Sequence, residues 1–235
     1  NIGRDKIDTY AFGTAYLGPQ YFPFNIAGDP SEPKFEIKNL ALDQAISDRL
    51  DDRLRLLKSL DLLRSEIDSS GVMDSVDKFN QQAISLLTSP QAREAFDLSK
   101  EPTRIRERYG KHAWGQRALL ARRLVEAGVT FVVVSGAWGY FDHHGDEVRW
   151  GGIVKGLKPL LPGVDRTLPA RITDLESGGL LDWTLIPMLG EFGRGPVMTK
   201  TNGRGHWLPV MSMLVAGGGL RHGQVIGATD EKGYD

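Results

Sequence analysis

The sequence predicts an α/β fold, and three observations carry that expectation. Residues 116–128 (QRALLARRLVEAG) read as a helix closed by a glycine, and the β-branched run Val129–Ser135 follows at once, ended by Gly136. That is the pattern of a strand covered on both faces. The same order recurs downstream, with Asp165–Ser177 as a helix, Gly178 and Gly179 as its stop, and the apolar run Trp183–Leu189 leading into Gly190 and Glu191. A third apolar run, Val210–Ala216, ends in Gly217–Gly219. Helix, glycine, apolar run and glycine-rich loop in repetition is the grammar of a helix-covered sheet.

Taken in chain order, residues 1–40 form an irregular segment, because Pro19, Pro23, Pro30 and Pro33 stand among aromatics and exclude a regular helix or central strand. Residues 41–112 form a helical insertion or subdomain. Leu42, Ile46, Leu50, Leu54, Leu57, Leu60, Leu63 and Ile67 recur at steps of three and four, which places them on one helical stripe with a charged, solvated face opposite. A second helix spans Asp74–Leu87 and stops near Pro90; a third runs from Gln91 to Leu98, before the short basic stretch 102–110. Residues 113–235 carry the α/β core, and 20 of the 28 glycines lie beyond residue 135, so the chemistry-bearing loops belong there. Pro187 makes the 183–189 strand an edge or a bulged one.

The 235 residues are 40% hydrophobic and 25% charged, enough for one sizeable core. The net charge of −1 gives no general attraction to phosphate backbones, which speaks against nucleic acid as a partner. No apolar run reaches the ~20 residues of a membrane span. Cysteine is absent, so a metal must be held by histidine and carboxylate. Asp142-His143-His144-Gly145-Asp146 offers two carboxylates and two imidazoles within five residues, a set that suits Zn, Mn or Fe, or Mg or Ca for oxygen ligands alone. Its alternative reading is a polar loop whose histidines cap backbone groups. Glu191-Phe192-Gly193-Arg194 and Gly203-Arg204-Gly205-His206-Trp207 add a carboxylate, two guanidiniums and a histidine at neighbouring strand ends. Arg194 and Arg204 could grip an anionic oxygen, or simply form surface ion pairs. His206 could equally be a hydrogen-bonded histidine beside Trp207. His112 and His222 read as structural, and Gly217–Gly219 lacks the residues of a phosphate loop. No Gly-x-Ser-x-Gly elbow is present. Trp138, Tyr140, Phe141, Trp150 and Trp207 could stack on sugar rings or pack a core.

The strings LLARRLVEAGVTFVVV, WGYFDHHGD, GLLDWTLIPMLGEFGRGP, GRGHW and LVAGGGLRHGQVIGATD, with YLGPQYFPFNIAGDPS and LTSPQAREAFDLSKEPTRIRERYG before them, resemble in order and spacing the DUF1501 family of bacterial proteins, abundant in planctomycetes. The resemblance implies the alkaline phosphatase and sulfatase superfamily: a three-layer α/β/α sandwich hydrolysing phosphate or sulfate esters with one or two divalent metals (Zn, Mn, Ca or Mg). It implies Asp142, His144 and His206 as ligands of one cation, and Glu191 as the holder of a second or an orienter of the first. Arg194 and Arg204 would then stabilise an anionic ester or a sulfated or phosphorylated glycan. Two positions depart from the family pattern, His143 replacing a threonine and Gly205 an aspartate, while Glu191 and Phe192 stand where hydrolytic relatives in the superfamily carry the Asp and His of an Asp-His-Gly motif. The superfamily's nucleophile and its amino-terminal metal-binding aspartate have no counterpart in the chain, which begins at Asn1. The sandwich is therefore expected to be incomplete at the N-terminus, and export to the periplasm or envelope is expected from the family. The rival expectation is a catalytically degenerate relative serving as an envelope-associated binding or assembly module.

Overall fold

The computed structural model describes residues 15–17, 21, 23–35, 37, 52, 55, 56, 89–135 and 141–234, and the chain divides into two compact units, residues 1–98 and 99–235. In the first unit, residues 52, 55 and 56 are helical; the rest of the expected helix 42–67, and all of 74–87, lie outside the described residues. Helix α1 (Pro90–Phe96) begins on the proline itself, with Ser89 Oγ accepting from the Ala92 amide at 3.2 Å. Proline in a first helical turn lacks only a donor that would go unused there, so Pro90 starts this helix.

The second unit carries helices α2 (Thr103–Tyr109), α3 (Ala113–Glu126) and α4 (Lys158–Ser177), packed on one another. His112 caps α3 by accepting from the Gly115 amide, the structural role expected of it. A Cβ on Gly115 would overlap the Tyr109 carbonyl, so glycine lets α2 and α3 approach. Gln116 is fully buried yet satisfied: its amide donates to the Arg106 and Gly110 carbonyls and its oxygen accepts from Arg106 Nε, each at 2.9 Å. Helix α4 starts seven residues before the expected Asp165. A π-helical turn (Ile153–Leu157) leads into it, and Pro162 and Pro169 lie inside it at the cost of backbone hydrogen bonds.

Tyr109, fully buried, has no hydrogen-bond partner for its hydroxyl, and burial pushes that hydroxyl up to about 12 against the opposing charges of Arg122, Arg171 and Arg108. An unfolded tyrosine loses its proton near pH ~10, so the stability held by the neutral form is present below that value and lost as pH rises toward 12. Melting curves should therefore lose about 2–3 kcal/mol across that window, and Tyr109→Phe should flatten the loss while leaving stability at pH 7 nearly unchanged.

The strands depart from the sequence expectation. Strand β1 (Ile186–Met188) pairs antiparallel with β4 (Leu214–Ala216), and β2 (Gly193–Met198) pairs antiparallel with β3 (Arg204–Trp207). Both helix and strand are present, as the α/β class requires, but the described strands form two antiparallel pairs. The expected strands 183–189 and 210–216 shrink to three residues each, because Leu181–Trp183 coils into a 3-10 turn and residues 211–213 join no ladder. Pro187 lies in the two-stranded β1–β4 pair, consistent with its edge reading. The run Val129–Ser135, expected as a buried strand, joins no ladder among the described residues and is open to solvent, with Phe131 82% exposed. Its composition favours extended backbone, but a strand is completed only by a partner. Around β1 and β4, Leu175, Leu181, Ile186 and Ala216 form a buried cluster flanked by Leu168, Ile172 and Leu180. No helix among the described residues is long and apolar enough to cross a membrane.

Candidate metal centre

The β2–β3 hairpin places Arg194 directly opposite His206 in the ladder. Cross-strand partners share a face, so both side chains reach the same side. The hairpin's turn is clamped to the segment 142–153. The Asp146 amide donates to the Thr201 carbonyl, the Ile153 amide to that of Asn202, and the Arg204 amide to that of His143, at 2.6–3.0 Å. Thr199 Oγ1 donates to the His144 carbonyl and accepts from the Gly203 amide. Asp146, one of the acidic residues of the 142–146 cluster, is taken up by this scaffold. It accepts from the amides of Lys155 and Gly152 and from Asn202, and those bonds hold its carboxyl below the usual range. Asp146 therefore serves the loop geometry, a role the sequence reading did not assign to it.

The His143 amide donates back to the Phe141 carbonyl at 3.1 Å, a tight turn centred on Asp142. Asp142 and His144 reach His206 on the hairpin, whereas His143 between them is buried. Burial pushes the His143 imidazole down, toward the neutral form. Its Nδ1 lies 3.2 Å from the Trp150 carbonyl, so that nitrogen carries the proton, and Nε2 has no hydrogen-bond partner.

Asp142, His144 and His206 converge, and they form the one carboxylate–histidine group able to hold a metal among the described residues. His144 Nε2 lies 2.9 Å from Asp142 Oδ1, His206 Nε2 lies 3.0 Å from the same oxygen, and the two nitrogens are 3.1 Å apart. Protons alone cannot satisfy all three edges. If both imidazoles donate to the carboxylate, their N–H groups confront each other; if one accepts from the other, its lone pair faces the carboxylate instead. A cation at the common focus resolves the conflict, since all three lone pairs then point at positive charge. The spacing also fits: donors about 3 Å apart could all reach one divalent cation, which Asp142, His144 and His206 would then hold.

Arg194 completes the neighbourhood. Its Nη2 donates to Asp142 Oδ1 at 2.6 Å and more weakly to the Phe141 carbonyl at 3.2 Å. Partial burial would raise the Asp142 carboxyl, but hydrogen bonds from Arg194 and His206, with the Arg194 and His144 charges, hold it below its usual value. Arg204 is held differently, Nη1 donating to the Gly195 and Pro196 carbonyls at 2.6 Å each. Glu191 is exposed and stands outside the three-residue group; it lines an adjoining cavity of about 280 Å³ with His143, Phe192, Arg194 and Arg204. Arg194, Arg204 and His206, expected on loops, lie on strands. Phe192, whose ring sits 4.3 Å from that of His206, braces the imidazole; its place beside His206 was not apparent from the sequence. Phe141 stacks on Trp114 at 5.5 Å and Trp207 meets Tyr234 edge-on at 5.3 Å, whereas Trp138 and Tyr140 lie outside the described residues. His222 accepts from the Gly217 amide, the turn role expected of it.

A Cβ on Gly203 would overlap the His144 carbonyl. Gly203→Ala should therefore displace His144 and weaken Zn²⁺ binding by about 10–100-fold, the usual cost of disturbing a ligand's support. Calorimetric titration checks this, with the melting temperature of the metal-free protein as the control for folding.

A family model described as "Protein of unknown function (DUF1501)" matches residues 3–235. No curated protein and no solved structure matches the chain.

Proposed function

The chain belongs to the DUF1501 family, and from that premise and the geometry of the His–His–Asp cluster we propose a metal-dependent hydrolase of sulfate or phosphate esters. The observation that carries the reading is the trio Asp142 Oδ1, His144 Nε2 and His206 Nε2, mutually 2.9–3.1 Å apart with no proton arrangement that satisfies them. A divalent cation bound there supplies Lewis-acid chemistry, polarising an ester oxygen and making water a nucleophile near neutral pH. Asp142 contributes the negative charge that holds it. Arg204, fixed by two carbonyls at the cavity edge, offers a stationary positive charge to an anionic ester, and Arg194 offers a second. Glu191, which lines the same cavity, would hold a second cation or orient a ligand of the first. We read the helices and hairpins as parts of a three-layer α/β/α sandwich of the alkaline phosphatase and sulfatase type, and export to the envelope as the setting, both on the strength of the motif resemblance.

A second reading keeps the cation and dispenses with turnover: a module that binds anionic glycan or a partner at the envelope. Phe192 favours it, because the ring against His206 cannot coordinate a second ion. Elemental analysis of the purified protein, followed by turnover of p-nitrophenyl sulfate and phosphate with and without EDTA, separates the two. Stoichiometric metal with EDTA-sensitive turnover supports the hydrolase; metal without turnover favours the binding module; absence of metal removes both.

A further inference from the structure

Three hydrogen-bonding partners crowd one carboxylate oxygen. Arg194 Nη2, His144 Nε2 and His206 Nε2 all lie within 3.0 Å of Asp142 Oδ1, although an sp² oxygen has two lone pairs. We infer that Arg194 is an exchangeable stand-in for the cation: it neutralises Asp142 while the metal is away, is released from Oδ1 when the metal arrives, and then binds a tetrahedral oxyanion, so that cation and oxyanion bind cooperatively. The inference rests on the cation reading above and adds to it a specific coupling between two ligands.

The argument is one of charge and reach. A cation at ~2.1 Å from Oδ1 would stand no more than about 4.7 Å from the guanidinium nitrogen bonded to the same oxygen, and arginine cannot shed its charge by losing a proton. The two positive groups therefore compete for one carboxylate. The other contacts of Arg194 are weaker: 3.2 Å to the Phe141 carbonyl, 3.4 Å to the Arg204 carbonyl, and the Phe192 ring 5.7 Å from its guanidinium carbon. Beside it lies the 280 Å³ cavity that it already lines, with room for the side chain to turn or for an oxyanion to meet it. An oxyanion touching both the cation and the freed guanidinium removes the repulsion between them, and linkage requires each ligand to tighten the other by the same factor. Arg204 does not share this behaviour, because two 2.6 Å bonds from one nitrogen to backbone carbonyls fix it in place.

The test is a Co²⁺ titration of the intact chain followed by visible absorption, with and without sulfate as the oxyanion probe. In the wild type, saturating sulfate should tighten Co²⁺ by about tenfold, within the usual range of coupling between sites. Arg194→Gln should bind Co²⁺ severalfold more tightly than wild type without sulfate, and sulfate should then tighten it by no more than about twofold, the part left to Arg204. Arg194→Lys, which keeps the charge but not the fork, should retain part of the coupling and guards against a folding artefact of the first variant. Weaker Co²⁺ binding by Arg194→Gln without sulfate, or an unchanged sulfate effect, overturns the exchange. Failure of the wild type to take up Co²⁺ overturns the cation reading as well, so the two failures are distinguishable.

Discussion

Asp142→Ala is expected to abolish cation binding by this chain, with a loss of at least about a hundredfold in affinity for Zn²⁺ or Co²⁺. Disturbing only the groups that support a ligand costs about 10–100-fold, and Asp142 is the only carboxylate in the cluster and its point of convergence. Without it, two imidazoles 3.1 Å apart and a guanidinium remain, a purely basic set. Asp142→Asn is the sharper companion, since it keeps the volume and one acceptor oxygen and removes only the charge. Both should lose binding, while the melting temperature of the metal-free protein changes little, because Asp142, His144 and His206 are only partly buried. Calorimetric titration, paired with melting curves in EDTA, reads the two effects separately. Retention of wild-type affinity in Asp142→Asn would mean that the cation is held elsewhere.

Glu101→Ala is expected to be the most destabilising single change in the helical part of the second unit. Its Oε1 accepts from Arg122 Nη2 and Arg123 Nη1, each at 2.6 Å, and the Glu101 side chain is 8% exposed. Arg122 extends the network to Glu126 and Asp174, and Asp174 also pairs with Arg108. Such a network ties the segment before α2 to α3 and α4. Removing its shared carboxylate takes one short ion pair from each of two largely buried guanidiniums, which costs about 3 kcal/mol, the lower end for a broken buried pair because Arg122 keeps Glu126. For a chain of this length that is roughly 10 °C in melting temperature. Glu101→Gln should recover part of the loss, since one amide oxygen still accepts. A drop no larger than that of an exposed glutamate such as Glu107, whose partner is Lys111 on the surface, would show the network to be dispensable.

The trio Asp142, His144 and His206 was expected from the motif resemblance; the residues alone offered an Asp-x-His loop and a histidine beside a tryptophan, each with a structural reading equally open. Helix α3 was legible from the residues themselves, its apolar spacing and closing glycine being contained in the segment. What depended on pairing was not. The strand β2 sequence Gly193-Arg194-Gly195-Pro196 is poor in strand-forming residues, yet it pairs with β3, with a register irregularity between Arg194 and Met198 and Arg204 bonding its carbonyls. The resulting Arg194–His206 register, and with it the guanidinium on Asp142, cannot be read from spacing. The converse error has the same origin. Val129–Ser135 has strand composition, but composition supplies no partner. Asp146 offered a ligand carboxylate by type, and two backbone amides and an asparagine claimed it first.

The candidate ligands are far apart along the chain, with 62 residues separating His144 from His206. Closing a long loop is where a cross-link removes most chain entropy from the unfolded state. In a chain without cysteine, an ion held between the 142–144 segment and β3 would do for this hairpin what a disulfide does elsewhere: the staple would be inorganic, reversible and set by the metal available where the protein works.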